Sequence, residues 1–238
     1  MSSKPFQFKQ FTIQQDRCAM KIGTDGVLLG AWTSVASNPF SILDIGAGTG
    51  LVALMLAQKS TAELIDAIEI DDDAYEQCVE NFEASPWGDR LFCYHAGFDE
   101  FVDEMDDTYD LIVSNPPFYS ENVFSGNEQR DLARSNFSLP FSELISGVAK
   151  FLNQNGTFTT IIPFKEEKEF LQLAERENLF PSRITHVKGN PTSEVKRSLI
   201  ELTFQQKEIL TSTLIIEKER HEYTEEYIAL TKDFYLKM

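Results

Sequence analysis

From Ser41 onward the chain alternates short apolar runs with segments whose apolar residues recur at helical spacing, the rhythm of strand and crossover helix. "SILDIGA" (41–47) reads as a first strand and "LVALMLAQK" (51–59) as the helix after it; "LIDAIEI" (64–70) and "DDAYEQCVENFEA" (72–84) repeat the pair. "LFCYH" (91–95) and "YDLIVS" (109–114) are the third and fourth strands, "LPFSELISGVAKFL" (139–152) a helix, and "GTFTTIIP" (156–163) the fifth strand. "KEEKEFLQLAEREN" (165–178) then places Phe170, Leu171, Leu173 and Ala174 at helical spacing. "RITHVKG" (183–189) and "RSLIELTFQ" (197–205) are separated by an Asn-Pro turn too short for a crossover, so they form an antiparallel pair. The pattern predicts an α/β fold: a mostly parallel, seven-stranded sheet with helices on both faces and a C-terminal antiparallel hairpin. "EEYIALTKDFYLKM" (225–238) is expected to form a helix on one sheet edge. Residues 1–40 hold too few apolar positions for a core of their own and are read as an N-terminal extension to a domain spanning 41–238.

Composition narrows this little. At 238 residues and 42% apolar, the chain can bury one substantial core. Its longest apolar run, Leu51 to Ala57, is far below the ~20 residues a membrane helix needs. Cys18, Cys78 and Cys93, like His95, His186 and His221, are too scattered for a metal or disulfide framework, which suits a reducing, cytoplasmic setting without structural zinc. A monomer is expected. The formal net charge of −17 opposes a polyanionic partner on average. Local balance differs: residues 1–24 carry Lys4, Lys9, Arg17 and Lys21 against Asp16, and residues 183–198 carry Arg183, Lys188, Lys196 and Arg197 against Glu194, whereas residues 99–110 hold seven acids and no base.

Two motifs carry chemistry. "LDIGAGTGL" sits between a predicted strand and a predicted helix, where Gly46, Gly48 and Gly50 let backbone approach a ligand closely. The spacing is G-x-G-x-G, not the G-x-G-x-x-G of pyrophosphate-binding loops, and Asp44 just upstream suits a cationic ligand better than a phosphate. Glu69, at the end of the next strand, stands where an acid accepts both ribose hydroxyls of a nucleoside, with Ile70 able to cover an adenine face. Asp71 is instead a helix N-cap candidate. A cationic, ribose-bearing ligand without a diphosphate is S-adenosylmethionine.

The second motif, "NPPF", follows the fourth strand at the carboxyl edge of the sheet. An exocyclic amine or amide nitrogen is a poor nucleophile until acceptors take its N–H protons and aim it. The Asn115 side-chain oxygen and the Pro116 carbonyl are two such acceptors, Pro116 and Pro117 stiffen the backbone that presents them, and Phe118 offers a stacking face. "DIGAGTG" with "NPPF" resembles the paired signature of class I, Rossmann-like methyltransferases that modify exocyclic amino groups. That family's sheet has seven strands with the last antiparallel. Adenine N6, guanine N2 and a glutamine amide all remain open on the motif, and a non-catalytic nucleotide-binding module is the alternative of another class.

"FKQFTIQQDRCAMKIGTDGVLLGAW" (8–32), "DLARSNFSLPFSELI" and "GNPTSEVKRSLIELTF" resemble the bacterial tRNA adenine-N6 methyltransferases that modify the adenine 3′ of the anticodon in a valine tRNA. The resemblance implies a tRNA substrate and S-adenosylmethionine as donor. It also implies that Thr24, Asp25 and Gly26 belong to a segment folding over the donor site, and that Arg17, Lys21, Arg134, Lys196 and Arg197 face RNA. For "TDGVLLGAW" a simple helix with Thr24 as N-cap and Val27, Leu28 and Trp32 inside is compatible with that role. Related enzymes often carry an aspartate after the third strand that binds the donor's adenine; Gly97 stands there, leaving Asp99 as the replacement candidate.

Overall fold

The computed structural model describes residues 4–116 and 139–238. Pro117, Phe118 and Arg134 lie outside the described residues. A short antiparallel pair, β1 (Phe6–Gln7) and β2 (Thr12–Ile13), precedes helix α1 (Thr24–Trp32). Then come β3 (Ser41–Ile45), α2 (Leu51–Lys59), β4 (Leu64–Glu69), α3 (Asp72–Glu83), β5 (Leu91–His95), α4 (Phe98–Glu104) and β6 (Tyr109–Ser114). The chain continues through α5 (Phe141–Phe151), β7 (Leu152–Pro163), a 3₁₀ turn (Phe164–Glu166), α6 (Glu167–Arg176), β8 (Phe180–Lys188) and β9 (Val195–Thr203). It ends with β10 (Leu210–Ile215), the short pair β11 (Glu217–Glu219) and β12 (Glu222–Tyr223), and α7 (Glu225–Thr231).

The central sheet has eight strands in the order β10-β8-β9-β7-β6-β3-β4-β5, one more than the pattern predicts. β9 runs against both its neighbours, β7 and β8, and the other pairings are parallel. The extra strand, β10, pairs with β8 from Leu210↔Arg183 to Ile215↔Lys188. Only Leu214 of β10 is buried, so it is held by its backbone ladder and leaves little apolar signal in the sequence.

One face of the sheet carries Leu43, Ile45, Ile112, Phe158, Ile162 and Ile200 under α4, α5 and α6; the other packs Ile42, Ile65, Val113 and Ile161 under α1 and α2. Residues 4–40 join the second cluster. Phe8, Phe11 and Ile13 are buried with it, Phe8 stacking on Tyr235 at 5.9 Å and Phe11 meeting Trp87 edge-on at 5.9 Å. Helix α1 is apolar from Gly26 to Trp32 and buried along that whole length, as an all-round apolar helix must be. Its C-terminus is closed by Lys59 at the end of α2, whose Nζ donates to the carbonyls of Gly30, Ala31 and Thr33 at 3.2, 2.7 and 2.6 Å. Those carbonyls are the unpaired acceptors of a helix end. Burial pulls the Lys59 ammonium down to about 8. No helix of the described residues is long and apolar enough to cross a membrane.

Candidate active site

The loop after β3 is built from both strands beside it. Gly46, Gly48 and Gly50 all have positive φ (72°, 57° and 78°), conformations that cost a side chain dearly. A Cβ on Gly50 would strike Phe82 at 2.5 Å and the Cys78 sulfur at 2.9 Å, so this glycine lets the loop press against α3. A Cβ on Gly46 or Gly48 would meet nothing within 4 Å: those two face open space. Gly50 is also the N-cap of α2 and has no side chain to cap it, and Asp44 on β3 does so instead, Oδ2 accepting from the Ala53 amide at 3.0 Å. Asp44 is 1% exposed, and burial pushes its carboxyl up to about 7 against the pull of that amide.

Glu69 ends β4 and holds the loop in shape. Its Oε2 accepts from the Gly48 amide at 2.7 Å, and its Oε1 from the amides of Ile70 and Asp71 at 3.0 and 2.9 Å. Burial raises its carboxyl, while the Asp71 and Gly48 amides counter the rise by stabilising the charged form. Ile70 beside it is 43% exposed, available to cover a planar ligand. Asp71 caps α3, its side chain accepting from the Ala74 amide at 2.8 Å. Gly97 caps α4, and a Cβ built there would lie 2.5 Å from Asp99 Oδ1 and 3.5 Å from Ile70 Cδ1. The Asp99 carboxylate therefore occupies the space a side chain at 97 would take, next to Ile70. Open glycines, a buried ribose-height carboxylate and an acid over an exposed isoleucine fit an adenosine bearing a cationic tail.

Asn115 and Pro116 follow β6, whose Ser114 donates to the Ile45 carbonyl at 2.9 Å and so fixes this strand end beside the glycine loop. Asn115 Oδ1 is buried and has no hydrogen-bond partner among the described residues. Leaving such an acceptor unsatisfied costs about 1–3 kcal/mol; Gln58 Oε1, Asp66 Oδ1 and the hydroxyls of Thr159 and Thr160 are also unpartnered, and of the five Asn115 Oδ1 is the one at the strand end beside the glycine loop. Gly26 of α1 adjoins it: a Cβ there would lie 3.9 Å from Asn115 Nδ2 and 3.0 Å from Leu51 Cδ2. The start of α1, the start of α2 and the end of β6 thus converge. Gly23, not Thr24, is the N-cap of α1; Thr24 is its first helical residue and is exposed. Asp25 Oδ2 accepts from Arg197 Nε at 2.8 Å, tying α1 to β9.

Residues 27–175 of the 238 match the family described as Methyltransferase small domain, more than half of the chain. A protein from Christiangramia forsetii named tRNA1(Val) (adenine(37)-N6)-methyltransferase is 62% identical over 240 residues, covering 100% of both chains. One of the same name from Bacteroides fragilis is 48% identical over 239 residues, again covering 100% of both. The chain belongs to the tRNA1(Val) (adenine(37)-N6)-methyltransferase family. It is thereby an S-adenosylmethionine-dependent methyltransferase. A solved structure titled as a predicted O-methyltransferase from Agrobacterium tumefaciens shares the fold, with a TM-score of 0.67 at 17% identity over 88% of this chain and 96% of that one.

In this member of the tRNA1(Val) methyltransferase family, two buried amides on α3, neither foreseen from the sequence, hold the N-terminal segment, and one of them, Asn81, joins it to the glycine loop. Asn81 Oδ1 accepts from the Gln14 amide at 2.8 Å, and its Nδ2 donates to the carbonyls of Gln14 at 3.0 Å and Thr49 at 2.9 Å. Gln77 Oε1 accepts from the Arg17 amide at 3.0 Å. Both share a helix face with Ala74, Cys78 and Phe82, and an amide within an apolar stripe is the signal that could have found them. The cations expected to face RNA are spread differently. Arg17 pairs with Glu76 at 2.9 Å and also with Glu80. Lys21 Nζ turns back to the carbonyls of Gln15 and Cys18. Arg197 holds Asp25, and Lys196 is exposed. Among the described residues no cluster of His, Cys, Asp and Glu is placed to hold a metal ion.

Proposed function

We propose that this chain transfers the methyl group of S-adenosylmethionine to N6 of adenine 37, the base 3′ of the anticodon, in a valine tRNA. The observation that carries the reading is the unpartnered Oδ1 of Asn115 at the carboxyl end of β6, beside the glycine loop and the start of α1. When bound, S-adenosylmethionine supplies an electrophilic methyl on a sulfonium. Gly46 and Gly48 admit it, Glu69 takes the ribose hydroxyls, Ile70 and Asp99 hold the adenine end, and Asp44 favours the cationic tail. Asn115 Oδ1 and the Pro116 carbonyl accept the two N–H protons of the target amine and aim its lone pair at the methyl carbon. Asn115 Oδ1 and the Pro116 carbonyl hold the amine in line while the methyl group passes to nitrogen and the sulfur keeps its electron pair as thioether, and they pass the surplus N–H proton on to solvent water. Asn115 need not ionise, so the acceptors work at any neutral pH. Pro117 stiffens the loop and Phe118 stacks on the target base.

Thr24, Asp25 and Gly26 close the site from α1, with Arg197 holding Asp25. Arg17, Lys21, Arg134, Lys196 and Arg197 meet RNA phosphates; the pairs that Arg17 makes are exposed and open to competition by phosphate. The target base reaches Asn115 splayed out of the anticodon loop. In this reading the enzyme acts as a monomer in the cytoplasm. Nucleoside mass spectrometry of a valine tRNA incubated with enzyme and donor should show N6-methyladenosine. Methylguanosine, or methyl transfer to protein alone, would overturn the proposal.

A further inference from the structure

The carboxyl edge of the sheet continues past Asn115 to Phe164, which no part of the catalytic reading uses. Phe164 follows Pro163 at the end of β7, the strand next to β6, and is 41% exposed. A single exposed phenylalanine is ordinary, but this ring is held. It meets His186 edge-on, with centroids 5.1 Å apart and planes at 81°. His186 Nε2 lies 2.9 Å from Glu167 Oε2, which also accepts from the Ser198 hydroxyl. Half-buried His186 of β8 thus sets one edge of the ring, and is itself held by Glu167 of α6, which the buried Ser198 of β9 also bonds.

Register sets its distance from the acceptor. Ser114 pairs with Thr160, so Phe164 lies three residues beyond the level of Asn115, about 10 Å along the strand direction and one strand spacing, roughly 5 Å, to the side. That suits a base flanking the methylated one, not the methylated base itself. Pro163 pairs with Arg197, which brings the exposed Lys196 alongside, and the exposed Lys165 follows on the same turn. In a chain of net charge −17, an exposed aromatic ring that sequence and register set near two exposed lysines, with Glu166 and Glu194 among them, offers a nucleobase a face and its phosphates two cations.

We propose that Phe164 is a stacking platform for a nucleotide adjacent to the target adenine, and that Lys165 and Lys196 bind the phosphates on either side of it. This rests on the tRNA reading above. It makes Phe164 a residue that positions RNA without touching the reacting atoms.

The test compares steady-state methylation of tRNA by wild type, Phe164→Ala, Phe164→Leu and Phe164→Trp, with donor Kd measured separately and the product nucleoside identified. Phe164→Ala should raise KM for tRNA roughly 10- to 100-fold, the scale of one lost base–aromatic stack, with kcat and donor Kd unchanged. Phe164→Trp should restore KM and Phe164→Leu should not. The double variant Lys165→Gln/Lys196→Gln should flatten the slope of log KM against log salt by about 1.4, two phosphates on a single strand. An unmoved KM in Phe164→Ala, or equal rescue by leucine and tryptophan, would overturn the platform while leaving the methyltransfer intact. A wild type that yields no N6-methyladenosine would overturn the functional reading, and the platform with it.

Discussion

The two halves of the sheet's carboxyl edge are built on opposite principles. On the donor half, at the ends of β3, β4 and β5, the acceptors are carboxylates whose oxygens already hold protein donors: Glu69 takes three backbone amides and Asp44 caps α2. On the acceptor half, at the ends of β6 and β7 and the start of β9, the acceptor next to the glycine loop is neutral: Asn115 Oδ1 holds no partner among the described residues. Charge differs less sharply. Asp71, Asp72, Asp73, Asp99 and Glu100 crowd the first half, while the second carries Lys165, Lys196 and Arg197 interleaved with Glu166, Glu167 and Glu194. Burying a carboxylate is tolerable only where fixed dipoles meet it, so the donor half is finished before any ligand arrives. The acceptor half keeps an unmet demand for hydrogen bonds that an amine with two N–H groups can supply.

If that division is correct, the sharpest test is Asn115→Ala. Removing one preorganised acceptor should lower kcat roughly 10²- to 10³-fold and leave donor Kd, read by calorimetry, unchanged. Because Asn115 Oδ1 makes no hydrogen bond among the described residues, thermal stability should not fall. A loss confined to donor affinity would erase the distinction between the halves. The opposite substitution, Glu69→Gln, turns one accepting oxygen into an NH₂ that must confront either the Gly48 amide or the amides of Ile70 and Asp71. Donor Kd should rise roughly 10- to 100-fold, in keeping with the loss of hydrogen bonds to a charged acceptor, with kcat at saturating donor little altered. An unchanged Kd would make Glu69 a loop brace and remove it from the ribose.

The donor half was far more legible in the sequence than the acceptor half, for a physical reason. Buried parallel strands must be nearly continuous in apolar residues, so β3, β4, β6 and β7 announce themselves. A glycine loop at a strand end and an acid at the next strand end are local in sequence as well as in space. Asn115 was equally legible, since two prolines mark it. What surrounds it was not. The pairing of Asp25 with Arg197 joins residues 172 apart, and while the apolar stripe of α3 marks Asn81 as facing inward, its partners Gln14 and Thr49 are brought to it only by the fold. β10 escaped because only Leu214 of its six residues is buried. Asp99 was a candidate by position, but that it fills the space above Gly97 depends on the turn into α4.

The smallest effect expected is also the one that separates the halves by pH. Asp44 would be ionised well below neutrality in the unfolded chain, while in the fold burial pushes it up to about 7. Between those values the native state binds a proton that the unfolded state does not, so this group's contribution to stability falls as pH rises from about 4 to about 7 and is flat on either side. Asp44→Asn keeps an acceptor for the Ala53 amide and removes the charge. It should therefore raise stability at pH 8 by about 1–2 kcal/mol, less than the full shift implies because a neutral amide accepts more weakly, with the gain vanishing near pH 4. Denaturant titrations of both proteins across that range measure it. The same ionisation should tighten the wild type's hold on a cationic donor as pH rises through about 7, and that dependence should be lost in Asp44→Asn. The response of kcat to Asn115, which has no proton to lose, should be level over the same range. A donor Kd that ignores pH in both proteins would leave Asp44 as the cap of α2 and no more.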